Sequence, residues 1–164
     1  MENIIFYQPY KAPFEIFGLY GDPEKNGYCR LPEDVAKATS TDVADLYKHP
    51  SGGRIRFKTN SGKIVLKVKG KYSSSGHTTP MMRRGADVYI DTPRGSIFAG
   101  ALKPNGEIES TETINLPAGE KEITIFMPIF GQVESFEIGL CDDATLSAHS
   151  PYTHNVPVVF YGSP

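Results

Sequence analysis

Strict alternation of apolar and polar residues, the signature of a strand with one buried face, begins at Arg54. In Arg54-Ile55-Arg56-Phe57-Lys58, Ile55 and Phe57 fall on one side and three cations on the other. In Lys63-Ile64-Val65-Leu66-Lys67-Val68-Lys69 the same period turns Ile64, Leu66 and Val68 inward and Lys63, Lys67 and Lys69 toward water. Asn60-Ser61-Gly62 separates the two runs, and alternating runs joined by a short polar glycine turn predict a β-hairpin. Further strands are predicted over residues 86–91, with Val88 and Ile90 inward, and over 96–102, 108–116, 121–127 and 133–140. In the last of these Phe136, Ile138 and Leu140 share a face. Pro93-Arg94-Gly95 and Pro104-Asn105-Gly106 supply turns between them.

The first fifty residues read differently. Pro9, Pro13, Pro23, Pro32 and Pro50 interrupt them, leaving one short strand around residues 14–17 and a helical turn beginning near Leu31-Pro32. Residues 41–47 fit a helical turn or a strand equally well. About eight or nine short strands, with a turn signal every ~8–12 residues, predict an all-β fold: an antiparallel β-sandwich, jelly-roll-like. Val158-Val159-Phe160-Tyr161 breaks the alternation, as a strand buried on both faces of a parallel sheet does. The predicted division is therefore a sandwich over residues 1–155 and the first strand of another domain over 156–164.

Composition sharpens this picture. The 164 residues include 16 Gly, 13 Pro, 9 Tyr and 9 Phe, a strand-and-turn mixture. With 39% hydrophobic and 22% charged residues, the chain can bury one core and is not a disordered segment. A net charge of −2 lacks the basic excess that a nucleic-acid or anionic-membrane surface needs, so neither partner is expected. No signal peptide is visible at the N-terminus and no apolar stretch approaches the ~20 residues of a membrane span, so the expectation is a cytoplasmic protein. The two cysteines, Cys29 and Cys141, are too few for a disulfide framework and are expected to be free buried thiols.

Candidate chemistry is sparse. His49, His77, His149 and His154 do not adopt metal-ligand spacings, and all four are expected to be surface or loop residues. Ser75 beside His77, or Ser163 with His154, would need a third orienting group that nothing in the sequence places. Asp142-Asp143 reads as a solvated turn and Ser51-Gly52-Gly53 as a tight turn rather than a phosphate loop. Neither a metal nor a cofactor is predicted. The segment Met81-Met82-Arg83-Arg84, near Tyr72 and His77, is the one adaptable surface that stands out as a contact for a ligand or another domain. An exposed tyrosine such as Tyr89 is a candidate to stack on a sugar, although the chain has no Trp, the best residue for that purpose.

Five segments, taken in order, carry a resemblance. They are Phe17-Gly18-Leu19-Tyr20, Arg30-Leu31-Pro32, the run from Ser51-Gly52-Gly53-Arg54 to Asn60-Ser61, Val133-Glu134-Ser135-Phe136-Glu137-Ile138-Gly139-Leu140, and Pro157-Val158-Val159-Phe160-Tyr161-Gly162-Ser163. Together they resemble the β-sandwich domain that precedes the hydrolase domain of SGNH (GDSL-type) esterases. The resemblance implies a non-catalytic accessory domain that stabilises a hydrolase domain in the same polypeptide and shapes its cleft, with acylated carbohydrate as a plausible substrate class. It further implies that Gly162 and Ser163 begin the nucleophile block, with Pro164 at the position of the nucleophilic serine. Proline has no hydroxyl, so the chain by itself is expected to be inactive. The alternative kept beside it is a free-standing carbohydrate-binding module.

Overall fold

In the computed structural model, which describes residues 3–72, 78–154 and 156, two antiparallel sheets pack face to face. The chain runs β1 (Ile4–Tyr7), β2 (Glu15–Phe17), α1 (Pro23–Asn26), α2 (Glu33–Thr39), α3 (Thr41–Leu46), β3 (Arg54–Thr59), β4 (Lys63–Lys71), α4 (Pro80–Arg84), β5 (Ala86–Thr92), β6 (Gly95–Leu102), β7 (Glu109–Asn115), β8 (Lys121–Phe126), β9 (Gln132–Cys141) and β10 (Leu146–Ser147). The four-stranded sheet has the order β1-β9-β4-β7. The six-stranded sheet has the order β10-β3-β8-β5-β6, with β2 also paired to β3. The all-β sandwich predicted from alternation is therefore the fold. No described helix is long and apolar enough to cross a membrane.

The inward residues are those the alternation marks. Ile55 and Phe57 on β3, Ile64 and Leu66 on β4, and Phe136 and Ile138 on β9 are fully buried. Burying each side chain of this size contributes about 1.5–3 kcal/mol, which is why the period-2 pattern dominates the fold. The predicted hairpin is not what forms. β3 lies between β8 and β2 in one sheet, whereas β4 lies between β7 and β9 in the other. Alternation gives each strand a buried face, but that face is equally well covered by a strand across the core as by one alongside.

Residues 60–62 thus form an arch between the sheets, and the arch is held by a buried polar hub. Ser61 is 2% exposed. Its Oγ donates to Lys63 O (2.7 Å) and accepts from the Cys141 amide (3.1 Å). Its own amide donates to Thr59 Oγ1 (3.1 Å), and its carbonyl accepts from Lys121 Nζ (2.8 Å). Gly62 O accepts from the Leu116 amide at 2.8 Å, and Asn60 Oδ1 accepts from the Thr145 amide at 2.7 Å. Buried backbone groups at a crossover have no ladder partner, and here side chains and loop amides replace it.

Other departures are local. β1 has no alternation to betray it and survives as an edge strand by pairing with β9. The ambiguous residues 41–47 resolve as α3, capped by Ser40 Oγ, which accepts from the Val43 amide (3.2 Å). In the Ser51-Gly52-Gly53 turn Gly52 adopts φ +82°, and a Cβ on Gly53 would lie 2.8 Å from the Pro50 carbonyl oxygen. A Cβ on Gly18 (φ +78°) would lie 2.3 Å from the Gly52 carbonyl oxygen. Cys29 and Cys141 are free, Cys141 buried and Cys29 half-buried. The predicted strand at 156–161, and the second domain it implied, lie outside the described residues apart from Val156.

Two substitutions test this account by denaturant unfolding at constant m. Ser61→Ala should cost about 1–3 kcal/mol, because it leaves the buried Cys141 amide without its acceptor. Phe136→Ala, at a site with no exposure, should cost about 3–5 kcal/mol. A loss under ~0.5 kcal/mol for Ser61→Ala would show that the arch does not depend on its side chain.

Candidate functional site

Cross-strand register lays out the outer face of the six-stranded sheet in three rows. One row runs Phe17, Arg54, Phe126 and Asp87; the next runs Glu15, Arg56, Thr124, Tyr89 and Phe98; the third runs Ser147, Lys58, Glu122, Asp91 and Ser96. Residues opposite one another share a face, so these side chains are neighbours above the sheet. After β10 the chain turns back over this face instead of leaving it, which accounts for an unexpected observation. His149 is 6% exposed and Arg56 5%. Sequence alone placed both at the surface, His149 as a loop histidine and Arg56 as a solvated cation.

Arg56 Nη2 donates to His149 Nδ1 at 2.6 Å. His149 Nε2 lies 2.9 Å from Asp91 Oδ2, and Nδ1 lies 3.7 Å from Glu122 Oε2 and 2.8 Å from the Ser150 carbonyl. Arg56 can only donate and Asp91 only accept, so a ring with its proton on Nε2 serves both of these partners. The Ser150 amide donates to Glu122 Oε1 at 3.0 Å. The guanidinium carbon of Arg56 lies 3.8 Å from the centre of the Tyr152 ring, and that ring meets Phe17 edge-on at 5.0 Å. These residues surround a shallow groove of about 300 Å³. Around the groove the carboxylates are set low. Burial pushes Asp91 up, but hydrogen bonds from Ser96, Thr124 and His149, with the adjacent imidazole, outweigh it and hold the carboxyl below 3.8. Burial likewise raises Glu122, and the Ser150 hydrogen bonds, the imidazole and Lys58 bring it below 4.5.

Beside this network lies an aromatic cluster. Tyr89 packs edge-to-face with Phe98 (5.6 Å, 68°) and with Phe126 (5.6 Å, 81°). Phe98 remains 57% exposed and Phe126 39%. Tyr89 is half-buried rather than standing free, and its steeply inclined neighbours do not extend it into a flat stacking platform.

The contact segment expected at residues 81–84 forms α4, with Thr79 Oγ1 accepting from the Met82 amide (3.4 Å). It does meet Tyr72: the Arg84 guanidinium carbon is 5.4 Å from that ring's centre. Met82 O accepts from the amides of Ile129 and Phe130, and Arg84 Nη1 donates to Gly106 O. The Arg83 carbonyl approaches Gly131 closely enough to exclude a side chain there. Met81 and Met82 stay exposed, at 40% and 37%. His77, Ser75, Gly162, Ser163 and Pro164 lie outside the described residues. His154, Asp142 and Asp143 are exposed, and His49 is half-buried against Phe130. Among the described residues no group of three or more His, Cys, Asp or Glu side chains is placed to hold a metal ion.

Comparison with known proteins follows this geometry closely. The family described as GxDLY, the N-terminus of SGNH hydrolase-type esterases, matches residues 4–146. The chain carries an Asp-Leu-Tyr run, Asp45-Leu46-Tyr47, within the matched residues. That segment ends α3, where the Leu46 and Tyr47 carbonyls accept from the side chain and amide of Arg30 at 2.7 and 2.8 Å. Its helix/strand ambiguity hid it from pattern reading. A solved "GDSL-like lipase" of Bacteroides ovatus shares the fold, with a TM-score of 0.80 and 24% identity over 90% of this chain and 44% of that one. The salicylyl-acyltransferase SsfX3 of a tetracycline biosynthetic pathway does so at 0.62 and 20%, over 91% of this chain and 42% of that one. The chain thus spans less than half the length of either. No curated protein matches.

The network predicts an acid-sensitive surface. Because Asp91 and Glu122 titrate lower folded than unfolded, their contribution is fully present above their ordinary values of 3.8 and 4.5 and is lost as pH falls through the folded ones. Asp91→Asn should therefore flatten the acid limb of a urea-midpoint profile taken between about pH 3 and 6. His149→Ala should lower stability at pH 7 by about 1–3 kcal/mol, by stranding the buried Arg56. An unaltered acid limb in Asp91→Asn would show that this carboxylate is not the one being titrated.

Proposed function

The chain belongs to the family of N-terminal domains of SGNH-type esterases, and on that premise we propose that it is a non-catalytic accessory domain. In this reading it stabilises a hydrolase domain in the same polypeptide and forms one side of that domain's substrate cleft.

The observation that carries the non-catalytic part is the state of His149. A Ser-His-Asp arrangement needs one ring nitrogen turned to a carboxylate and the other free to take a hydroxyl proton. Here Asp91 occupies Nε2 while Arg56 and the Ser150 carbonyl crowd Nδ1. The pair with the look of a catalytic couple is spent on holding the chain against the sheet. The acyl chemistry in the names of the two solved neighbours supports acyl esters as the parent protein's substrates; acylated carbohydrate is the class we propose among them.

The carbohydrate-binding alternative draws only on the exposed aromatic cluster, and the steep inclination of its rings counts against it. Sugar rings pack on a flat aromatic face, which Tyr89, Phe98 and Phe126 do not jointly present.

A fluorophosphonate probe separates the readings. It should label a serine in the longer polypeptide that continues past Pro164, and that protein should hydrolyse a p-nitrophenyl acyl ester. It should leave the 164-residue chain unlabelled. A labelled serine within these residues would overturn the non-catalytic assignment. A gene without a downstream hydrolase, combined with glycan binding lost on Tyr89→Ala, would favour the carbohydrate module.

A further inference from the structure

The sandwich has two outer faces, and they differ in kind. On the four-stranded sheet Lys67 bridges Glu109 and Glu137, Lys71 pairs with Glu134, and Gln8 bonds Glu137. Such a lattice of exposed charges suits permanent contact with water, and the exposed ring of Phe6 stands at its edge on β1. On the six-stranded sheet β8, β5 and the edge strand β6 instead carry Phe126, Tyr89 and Phe98, with Tyr89 packed against both phenylalanines and these left exposed. The core does not use these rings, because the same strands already bury Val88, Ile123 and Ile125 on the inner side. Aromatic rings left exposed together on one face mark a surface for another body.

The course of the chain indicates what covers this one. After β10 the residues through Tyr152 are drawn back over the same face by Arg56, Asp91 and Glu122. Tyr152 then meets Phe17 edge-on, and the cross-strand row of Phe17 continues through Arg54 to Phe126. Phe17 and Phe126 are two strand spacings apart, about 10 Å. Tyr152 therefore brings the chain onto the face that carries the aromatic cluster.

We propose that the outer face of the six-stranded sheet, centred on Phe98, Tyr89 and Phe126, seats the hydrolase domain that follows in the same polypeptide. The clamp formed by Arg56, His149 and Asp91 sets the point from which that domain departs. The proposal rests on the accessory-domain reading above and adds to it the face and the anchoring side chains. Aromatic residues at the dry centre of an interface, with charged residues such as Arg54 and Asp87 at its rim, form the usual anatomy of a docked surface.

Hydroxyl-radical footprinting of the longer polypeptide tests it, with Phe6 as internal reference. Phe6 lies on the opposite face and is 45% exposed in this domain, comparable to Phe98 at 57% and Phe126 at 39%. Phe98 and Phe126 should be labelled at least about fivefold less than Phe6, as expected for residues in the dry core of an interface. Equal labelling of all three, in a protein whose serine reacts with fluorophosphonate, would overturn the docking face and leave the accessory-domain reading intact. Protection of Phe6 instead would place the hydrolase domain on the other sheet and overturn it as well. Protection that disappears on dilution to a monomer would mean that a second copy covers the face. Protection that appears only when glycan is added would identify a sugar as the occupant. A longer polypeptide without a reactive serine would remove both the reading and the docking proposal.

Discussion

A single buried serine determines how this chain closes on itself. At the arch over residues 60–62 the backbone leaves one sheet and enters the other, and at such a crossing neither sheet's ladder satisfies the amides and carbonyls. Ser61 solves this with one hydroxyl and one peptide unit, which engage β3, β4, β8 and β9 through Thr59, Lys63, Lys121 and Cys141. Because the arch places Ile55 and Phe57 opposite Ile64 and Leu66 instead of beside them, every later strand must choose a sheet consistent with that choice. β8 pairs with β3 and β9 with β4. The sandwich is thus less a stack of hairpins than two sheets interleaved in sequence around one polar staple. At a buried group with so many partners even the loss of one oxygen is costly, since each stranded donor or acceptor carries its own desolvation penalty.

Most of the architecture was legible because burial writes itself into alternation. The inward sets of β3, β4, β5 and β9 are those that a period of two selects, and the turn residues fall between them. What alternation could not carry was pairing. A half-buried strand satisfies its apolar face against any cover, so the hairpin read from Asn60-Ser61-Gly62 and the arch that forms share one pattern. The edge strand β1 escaped for the opposite reason: Ile4-Ile5-Phe6-Tyr7 does not alternate, and only its partner β9 makes it a strand.

The functional surface was harder to see, and the reason is physical. Arg56 reads as one of three cations on a solvated face, and His149 as a loop residue beside Pro151. Each becomes buried only because the other is present, across 93 residues of sequence. No local window contains that information. Tyr72 and Arg84 do come together as composition suggested, but the contacts of residues 82–84 are largely to backbone carbonyls and amides of neighbouring loops. Those contacts are the work of a loop staple, which leaves Met81 and Met82 as the adaptable part.

The resemblance and the geometry meet at the C-terminal strap. A strap that only needed to end would have no use for a buried Arg56–His149 contact, because desolvating the Arg56 guanidinium costs energy that an apolar contact would not. What a buried, oriented pair adds over an apolar contact is direction: the donors of Arg56 and the single acceptor nitrogen of His149 permit one register of residues 146–152 on the sheet. On the proposed accessory-domain reading, in which this domain holds another at a fixed angle, that register is the property worth its desolvation cost. The aromatic cluster then supplies apolar area without specifying position, while the clamp specifies position without supplying area. Docking a second domain needs both, and the six-stranded sheet carries them side by side.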